Sequence, residues 1–190
     1  MSFAKLDRDL IVREAVALLK AEGLDAVSLR KVAARLGVSV SSLYWHVADK
    51  NMLYGLMSAS IFRACLDAIP SAESWRQWLH GFGIALWDAQ IAIPDARQLI
   101  VVSRPQADLA RESLDRIVHD LERLGLPAPQ ALIAQRSVQA LVTGWTTLRA
   151  VRPDAVAADR DSFVIALDVL IEGWRERLAE PGGEALREAH

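Results

Sequence analysis

Apolar residues recur at three- and four-residue steps along almost the whole chain, and strand-like alternation is scarce. The pattern predicts a first helix over about residues 7–22. Ile11, Ala15, Leu18 and Leu19 form its stripe, and Gly23 is a left-handed stop. Ser28 then caps a second helix, Leu29–Leu36, and Gly37 ends it. Ser39 caps a short third segment over residues 40–46, and Asp49 caps a fourth that ends before Pro70. Beyond Pro70 the helical pieces lengthen. Ser71 opens one carrying Trp75, Trp78, Leu79, Phe82 and Leu86 on a single face. Pro94 and Pro105 start two more, and Gly125-Leu126-Pro127 closes the second of these. Pro129 opens a long helix to about Val151, which Arg152-Pro153-Asp154 breaks. Asp159 or Asp161 begins the last, ending near Leu178, and the tail from Pro181 is expected to be loose.

The expected fold is therefore all-α: a three-helix head joined to a larger helical body, divided into residues 1–52 and 53–190. The two parts share the fourth helix rather than a flexible linker.

Leu29 to His46 reads as a helix-turn-helix. Val32, Ala33, Leu36, Val38 and Leu43 supply a shared apolar seam. Ala33 is small where the helices approach, and Gly37 accepts the positive φ of a sharp turn. The outward side of the second of these helices carries Ser39, Ser41 and Ser42. Small hydroxyls let a backbone approach a groove floor and bond phosphates or bases. The helix ends in Tyr44-Trp45-His46, with Arg30 and Lys50 flanking it.

Composition adds little until its distribution is considered. The chain has 190 residues, 52% of them hydrophobic and 24% charged, which excludes a disordered chain. Its net charge of −2 does not by itself suggest nucleic acid. Residues 1–50 nevertheless hold eight Lys/Arg against six Asp/Glu, so a mildly basic head sits on an acidic body. The lone Cys65 excludes an internal disulfide framework and a Cys-based zinc site. There is no run of about 18 apolar residues, and charges interrupt the N-terminal stretch, so the expected location is cytoplasmic, with no membrane partner. The four histidines are widely separated, and no metal, cofactor or catalytic constellation is expected.

Residues 6–57, LDRDLIVREAVALLKAEGLDAVSLRKVAARLGVSVSSLYWHVADKNMLYGLM, resemble the DNA-binding head of the TetR family of one-component transcriptional regulators. The Tyr-Trp-His-Val form and the opening Leu-Asp-Arg are similar to its tetracycline-repressor branch. The resemblance implies a homodimer on a palindromic DNA operator, released by a small-molecule effector. It places Arg30, Ser39, Val40, Ser41, Ser42, Tyr44, His46 and Lys50 at the DNA, with Trp45 packed inward against the first helix. Val40 stands where that branch has a base-reading amide and offers only an apolar contact, so the operator sequence does not transfer.

The body is expected to dimerise and to hold the effector. For dimerisation two stripes are candidates: Leu141, Trp145 and Leu148, with Gly144 permitting close approach, and Phe163, Leu167, Leu170 and Trp174. For the pocket the candidates are Trp78, Phe82 and Trp87, with Ser103, Gln139 and Thr143 as polar contacts, and Thr146, Arg104 and His119 behind them. Two rival readings stand beside this one. One is a DNA-binding dimer regulated by a protein partner without any ligand. The other is an all-α enzyme whose helix-turn-helix is architectural.

Overall fold

The computed structural model describes residues 6–93, 95–104, 106–152 and 159–179. These form nine α-helices, with no strand among them, as the hydrophobic periodicity predicts. The expected helix starts at Pro94 and Pro105, the break at Pro153-Asp154 and the tail from Pro181 fall outside the described residues.

The chain forms two compact units. The first comprises residues 1–67 and 88–115. It holds α1 (Arg8–Glu22), α2 (Leu29–Leu36), α3 (Val40–Tyr44), α4 (Lys50–Asp67) and α6 (Ala96–Val102). The expected cut at 52/53 falls inside α4. Each of the first four helices begins where a capping side chain offers an acceptor. Asp7 accepts from Leu10 N–H, Ser28 from Lys31, Ser39 from Ser42 and Asp49 from Met52. Gly37 adopts the left-handed conformation, φ 68° and ψ 28°, that turns the chain from α2 into α3.

α1 packs on α2 and α4, α2 on α3, and α4 on α6. Their shared core includes Ile11, Leu18, Leu19, Val32, Leu43, Leu53, Met57 and Leu99, all essentially without exposed surface. Each such side chain contributes about 1.5–3 kcal/mol by burial. Gly55 lets α4 approach the chain just after α6: a Cβ there would lie 2.5 Å from the Arg104 carbonyl oxygen. Cys65 is buried, and burial pushes its thiol pKa up to about 11, so it carries little thiolate at neutral pH.

The second unit comprises residues 68–87 and 116–190. It holds most of α5 (Trp75–Ala92), the C-terminal part of α7 (Ala107–Arg123), α8 (Ala128–Val151) and α9 (Arg160–Ala179). Leu79, Phe82, Ile117, Leu121, Val138, Phe163 and Leu167 are fully buried in it. Gly83 admits the Leu167 side chain, whose nearest methyl would lie 2.7 Å from an added Cβ. Asp159 caps α9 through Ser162 N–H at 2.8 Å. The hydrogen bonds from Ser162 hold its carboxyl below the usual carboxylate range.

Candidate nucleic-acid interface

α3 is only five residues long, so its position depends on what holds it. Its start is tied by Ser39, whose Oγ accepts from Ser42 N–H at 3.1 Å and lies 2.7 Å from Ser42 Oγ. Its middle is anchored by the fully buried Leu43. Past its end, Leu43 C=O accepts from both His46 and Val47 N–H, each at 2.9 Å. The Arg8 Nε then donates to the His46 carbonyl at 3.2 Å.

This anchoring decides what faces outward. Ser39 and Ser42 engage each other, whereas Ser41 is exposed with its hydroxyl uncommitted. Val40 is half-buried, Tyr44 is 55% exposed and His46 is half-buried. Trp45 is 88% exposed, which corrects the expectation that it packs against α1. The reason is angular. Leu43 and Val47 occupy the buried positions on either side, and a residue two steps from each points away from the core. The outward tip of the head thus presents a Tyr ring and a Trp ring side by side in sequence.

The charges sort themselves as well. Lys31 pairs with Glu22, and Arg35 pairs with Glu14 and lies 3.9 Å from Glu22. These pairs tie α2 to α1. Arg30 and Lys50 are exposed and make no ion pair among the described residues. Lys50 Nζ sits 5.1 Å from the centroid of the Tyr54 ring, which steadies it without neutralising it. Asp49 already caps the N-terminus of α4, at 2.7 Å from Met52 N–H. That end offers a phosphate the Lys50 charge beside the helix N–H groups that the cap leaves free.

The loop between α1 and α2 is gripped on both sides at Leu24. Its N–H donates to Asp95 Oδ2 at 2.9 Å, and its carbonyl accepts from Tyr54 OH at 3.4 Å. Asp95 holds this position in a left-handed backbone, φ 57° and ψ 14°. Gly23 leaves room for it, since a Cβ there would meet the same oxygen at 2.9 Å. Nothing in the sequence pattern singled out Asp95, whose partner lies 71 residues away. Asp95→Ala should destabilise the protein by about 2–5 kcal/mol. It leaves Leu24 N–H without its acceptor (about 1–3 kcal/mol). It also puts alanine in left-handed backbone (about 1–2 kcal/mol). Asp95→Asn keeps an acceptor and tolerates that backbone, so its unfolding midpoint in urea should stay near wild type. An equal loss in both variants would mean the hydrogen bond is not what matters.

The body candidates divide differently from expectation. Phe163 and Leu167 have no exposed surface within a single chain, so they cannot form a dimer face and belong to the body's own core. Phe163 stacks on Trp87 at 4.4 Å and meets Trp145 edge-on at 6.4 Å. Leu141, Trp145, Leu170 and Trp174 are half-buried, and Leu148 is exposed. The outward apolar residues of α9 are Ile165 and Val169, 65% and 67% exposed; on α8, Val151 accompanies Leu148. The sequence did carry a signal for this. α9 carries apolar residues, Ile165 and Val169, outside the stripe through Phe163, Leu167 and Ile171 that it buries.

Trp78, Phe82 and Trp87 are buried, and Trp78 stacks on Phe82 at 5.6 Å. Each of the three stacks on a neighbouring ring, Trp78 on Phe82 and Trp87 on Phe163. Gln139 Oε1 accepts from the buried Gln135 Nε2 at 3.0 Å. Thr143 is half-buried, and its carbonyl accepts from Thr146 Oγ1 at 3.2 Å and Thr147 Oγ1 at 2.7 Å. Ser103 lies in the first unit, where its hydroxyl donates to Ile100 C=O at 3.3 Å. Of the lesser candidates, Thr146 is buried, while Arg104 and His119 are exposed. Gln130 Oε1 is buried and accepts no hydrogen bond. Among the described residues, no group of three His, Cys, Asp or Glu side chains gathers to hold a metal. No helix among them is long and apolar enough to cross a membrane.

Comparison with known proteins agrees with this arrangement. The family model for bacterial regulatory proteins of the tetR family matches residues 11–55, from the buried face of α1 to Gly55. The class A tetracycline repressor of Escherichia coli transposon 1721 is 29% identical over 95% of this chain and 85% of its own length. The class D repressor of Escherichia coli is 31% identical, over 54% of this chain and 48% of its own length. Among solved structures, a single-substitution variant of TetR from Acinetobacter baumannii AYE in complex with minocycline superposes with a TM-score of 0.72 and 26% identity. That match covers 93% of this chain and 99% of the other. BioQ with its double-stranded DNA operator matches with a TM-score of 0.65 and 26% identity, over 90% of this chain and 99% of its own.

Proposed function

This chain belongs to the TetR family of transcriptional regulators, and on that footing we propose that it is a homodimeric repressor released from a palindromic operator by a small molecule. It is a DNA-binding regulator of the helix-turn-helix kind; the dimer, the operator and the release are the proposal. The observation that carries the DNA reading is the tip of the head. A short helix, tied at both ends, presents Ser41, Tyr44 and Trp45 outward, and Arg30 and Lys50 of the same head are exposed without an ion pair among the described residues.

Residues 1–52 read the DNA in this proposal, and residues 53–190 pair the chains and take the effector. Val40 and Ser41 face base edges, Arg30 reaches a base or phosphate, and Tyr44, His46 and Lys50 hold the backbone. Two-fold pairing sets two such heads about one helical turn of DNA apart, roughly 34–36 Å. The pairing face is the exposed apolar side of α9, Ile165 and Val169, with Leu148 and Val151 of α8 beside it in the same unit. Gly144 and Gly173 support this, because no atom lies within 4 Å of a Cβ built on either. Nothing in one chain explains a glycine in mid-helix there, whereas a closely approaching helix from a second copy does.

For the effector, the unmet acceptor on Gln130 and the part-buried Gln135–Gln139 pair support a ligand that brings at least one hydrogen-bond donor. A thousandfold drop in operator affinity needs about 4 kcal/mol of preference for the released shape.

Fluorescence anisotropy with DNA flanking the coding region tests the reading. Tight, sequence-preferring binding should weaken steeply with salt. Lys50→Ala should lower the slope of log K against log salt by about 1 for each chain bound. Tyr44→Ala should weaken binding about tenfold or more without changing the melting temperature. Unchanged affinity in both variants would remove this face from the DNA.

A further inference from the structure

We infer that Arg8 is a DNA-positioning residue: its guanidinium fixes the end of α3 from one side and offers a phosphate clamp from the other. This rests on the DNA reading above and adds to it a residue outside the helix-turn-helix itself. Arg8 is the first residue of α1, and its Nε donates to the His46 carbonyl, 38 residues away, at 3.2 Å. That carbonyl lies just past α3, immediately after the exposed Tyr44 and Trp45.

Three further observations carry the inference. First, Arg8 is exposed and forms no ion pair with any described residue, unlike Lys31 and Arg35 of the same head. Its charge is not consumed by the fold. Second, a guanidinium is a planar fork. With Nε engaged on the His46 carbonyl, the two terminal nitrogens have no hydrogen-bond partner among the described residues, and the end edge they form remains available to donate. Third, α3 is too short to hold its own C-terminal end in place, and Leu43 is its one fully buried residue. The Arg8 bond reaches the chain where Tyr44, Trp45 and His46 must be aimed. On the free protein this exposed bond contributes little, because water competes for both partners. Once DNA excludes that water the same bond strengthens, so its effect appears in the complex rather than in the stability of the free chain.

The two roles separate by substitution in the full-length chain. Arg8→Gln retains an amide that can reach the His46 carbonyl but removes the charge. Arg8→Leu removes both. The probe is a duplex recovered by the wild-type protein from a randomised pool, with an unrelated duplex as control, each titrated across a salt series. Arg8→Gln should lower the salt slope by about 0.9 for each chain bound. It should leave the ratio of specific to non-specific affinity near wild type. Arg8→Leu should lower the slope equally and also cut that ratio about tenfold. Melting temperatures should be unchanged in both, since the residue is exposed. Wild-type affinity and slope in Arg8→Leu would overturn the inference while leaving the regulator reading intact. Failure of the wild-type protein to recover any preferred duplex would overturn the reading on which it rests. A specificity ratio that falls equally in both variants would leave the clamp and remove the positioning role.

Discussion

Phe163→Ala should destabilise the protein by about 3–5 kcal/mol, the range for deleting a buried aromatic ring. The ring has no exposed surface, lies 4.4 Å from Trp87 in a near-parallel stack, and receives Trp145 edge-on. Each such ring pair adds about 0.5–1.5 kcal/mol beyond the area it buries. Trp87 and Trp145 are large and rigid, so they cannot collapse into the space, and most of the cavity term should persist. Against a total stability of about 5–15 kcal/mol this is a large share. It corresponds to a fall in melting temperature of about 6–20 °C for a chain of this length. Unfolding in urea at several protein concentrations would separate this loss from dissociation of a dimer. The companion variant Ile165→Ala, on the exposed side of the same helix, should change the stability of the free chain by about 0.5 kcal/mol or less. A loss below about 1 kcal/mol for Phe163→Ala would mean that the ring is not part of the body's core.

The contrast between Phe163 and Ile165 also shows what was legible in the sequence. Where a local rule decides, the reading held. Ser28, Ser39 and Asp49 cap the helices they were expected to cap, and Gly37 makes the left-handed turn. These depend on three or four consecutive residues, and periodicity makes them visible. The seam of the helix-turn-helix was legible for the same reason: Val32, Ala33 and Leu43 are all buried. Where a helix is apolar on several faces, periodicity cannot choose between them. The stripe through Phe163 and Leu167 was assigned to a partner, and the chain's own core takes it instead. Trp45 failed in the opposite way. A large ring suggests burial, but the positions of Leu43 and Val47 determine its direction. Arg8 and Asp95 act through bonds to backbone groups 38 and 71 residues away, and no local pattern encodes such a partner.

On the proposed homodimer, Val169→Glu should convert the protein to a monomer and lower affinity for its proposed operator by roughly 10²–10⁴, the advantage that pairing two binding modules confers. A two-fold interface is self-complementary, so one substitution places a new charge on both sides of the contact. Glutamate is chosen over arginine because Asp168 and Glu172 flank the position. Two such faces would already bring like charges together, whereas an arginine would find partners there. Val169 is 67% exposed in the single chain, so the change should leave the melting temperature of the monomer near wild type. Sedimentation reads the association directly, and a dimer of unchanged strength would move the pairing face elsewhere. Gly173→Ala supplies an independent test through the sign of its effect. In open solvent, alanine in place of a mid-helix glycine stabilises by about 0.5–1 kcal/mol. If a partner helix approaches Gly173 closely, the same methyl group must weaken the dimer while it strengthens the monomer. The two measurements should therefore move in opposite directions, and a variant in which both rise would show that this glycine faces only water.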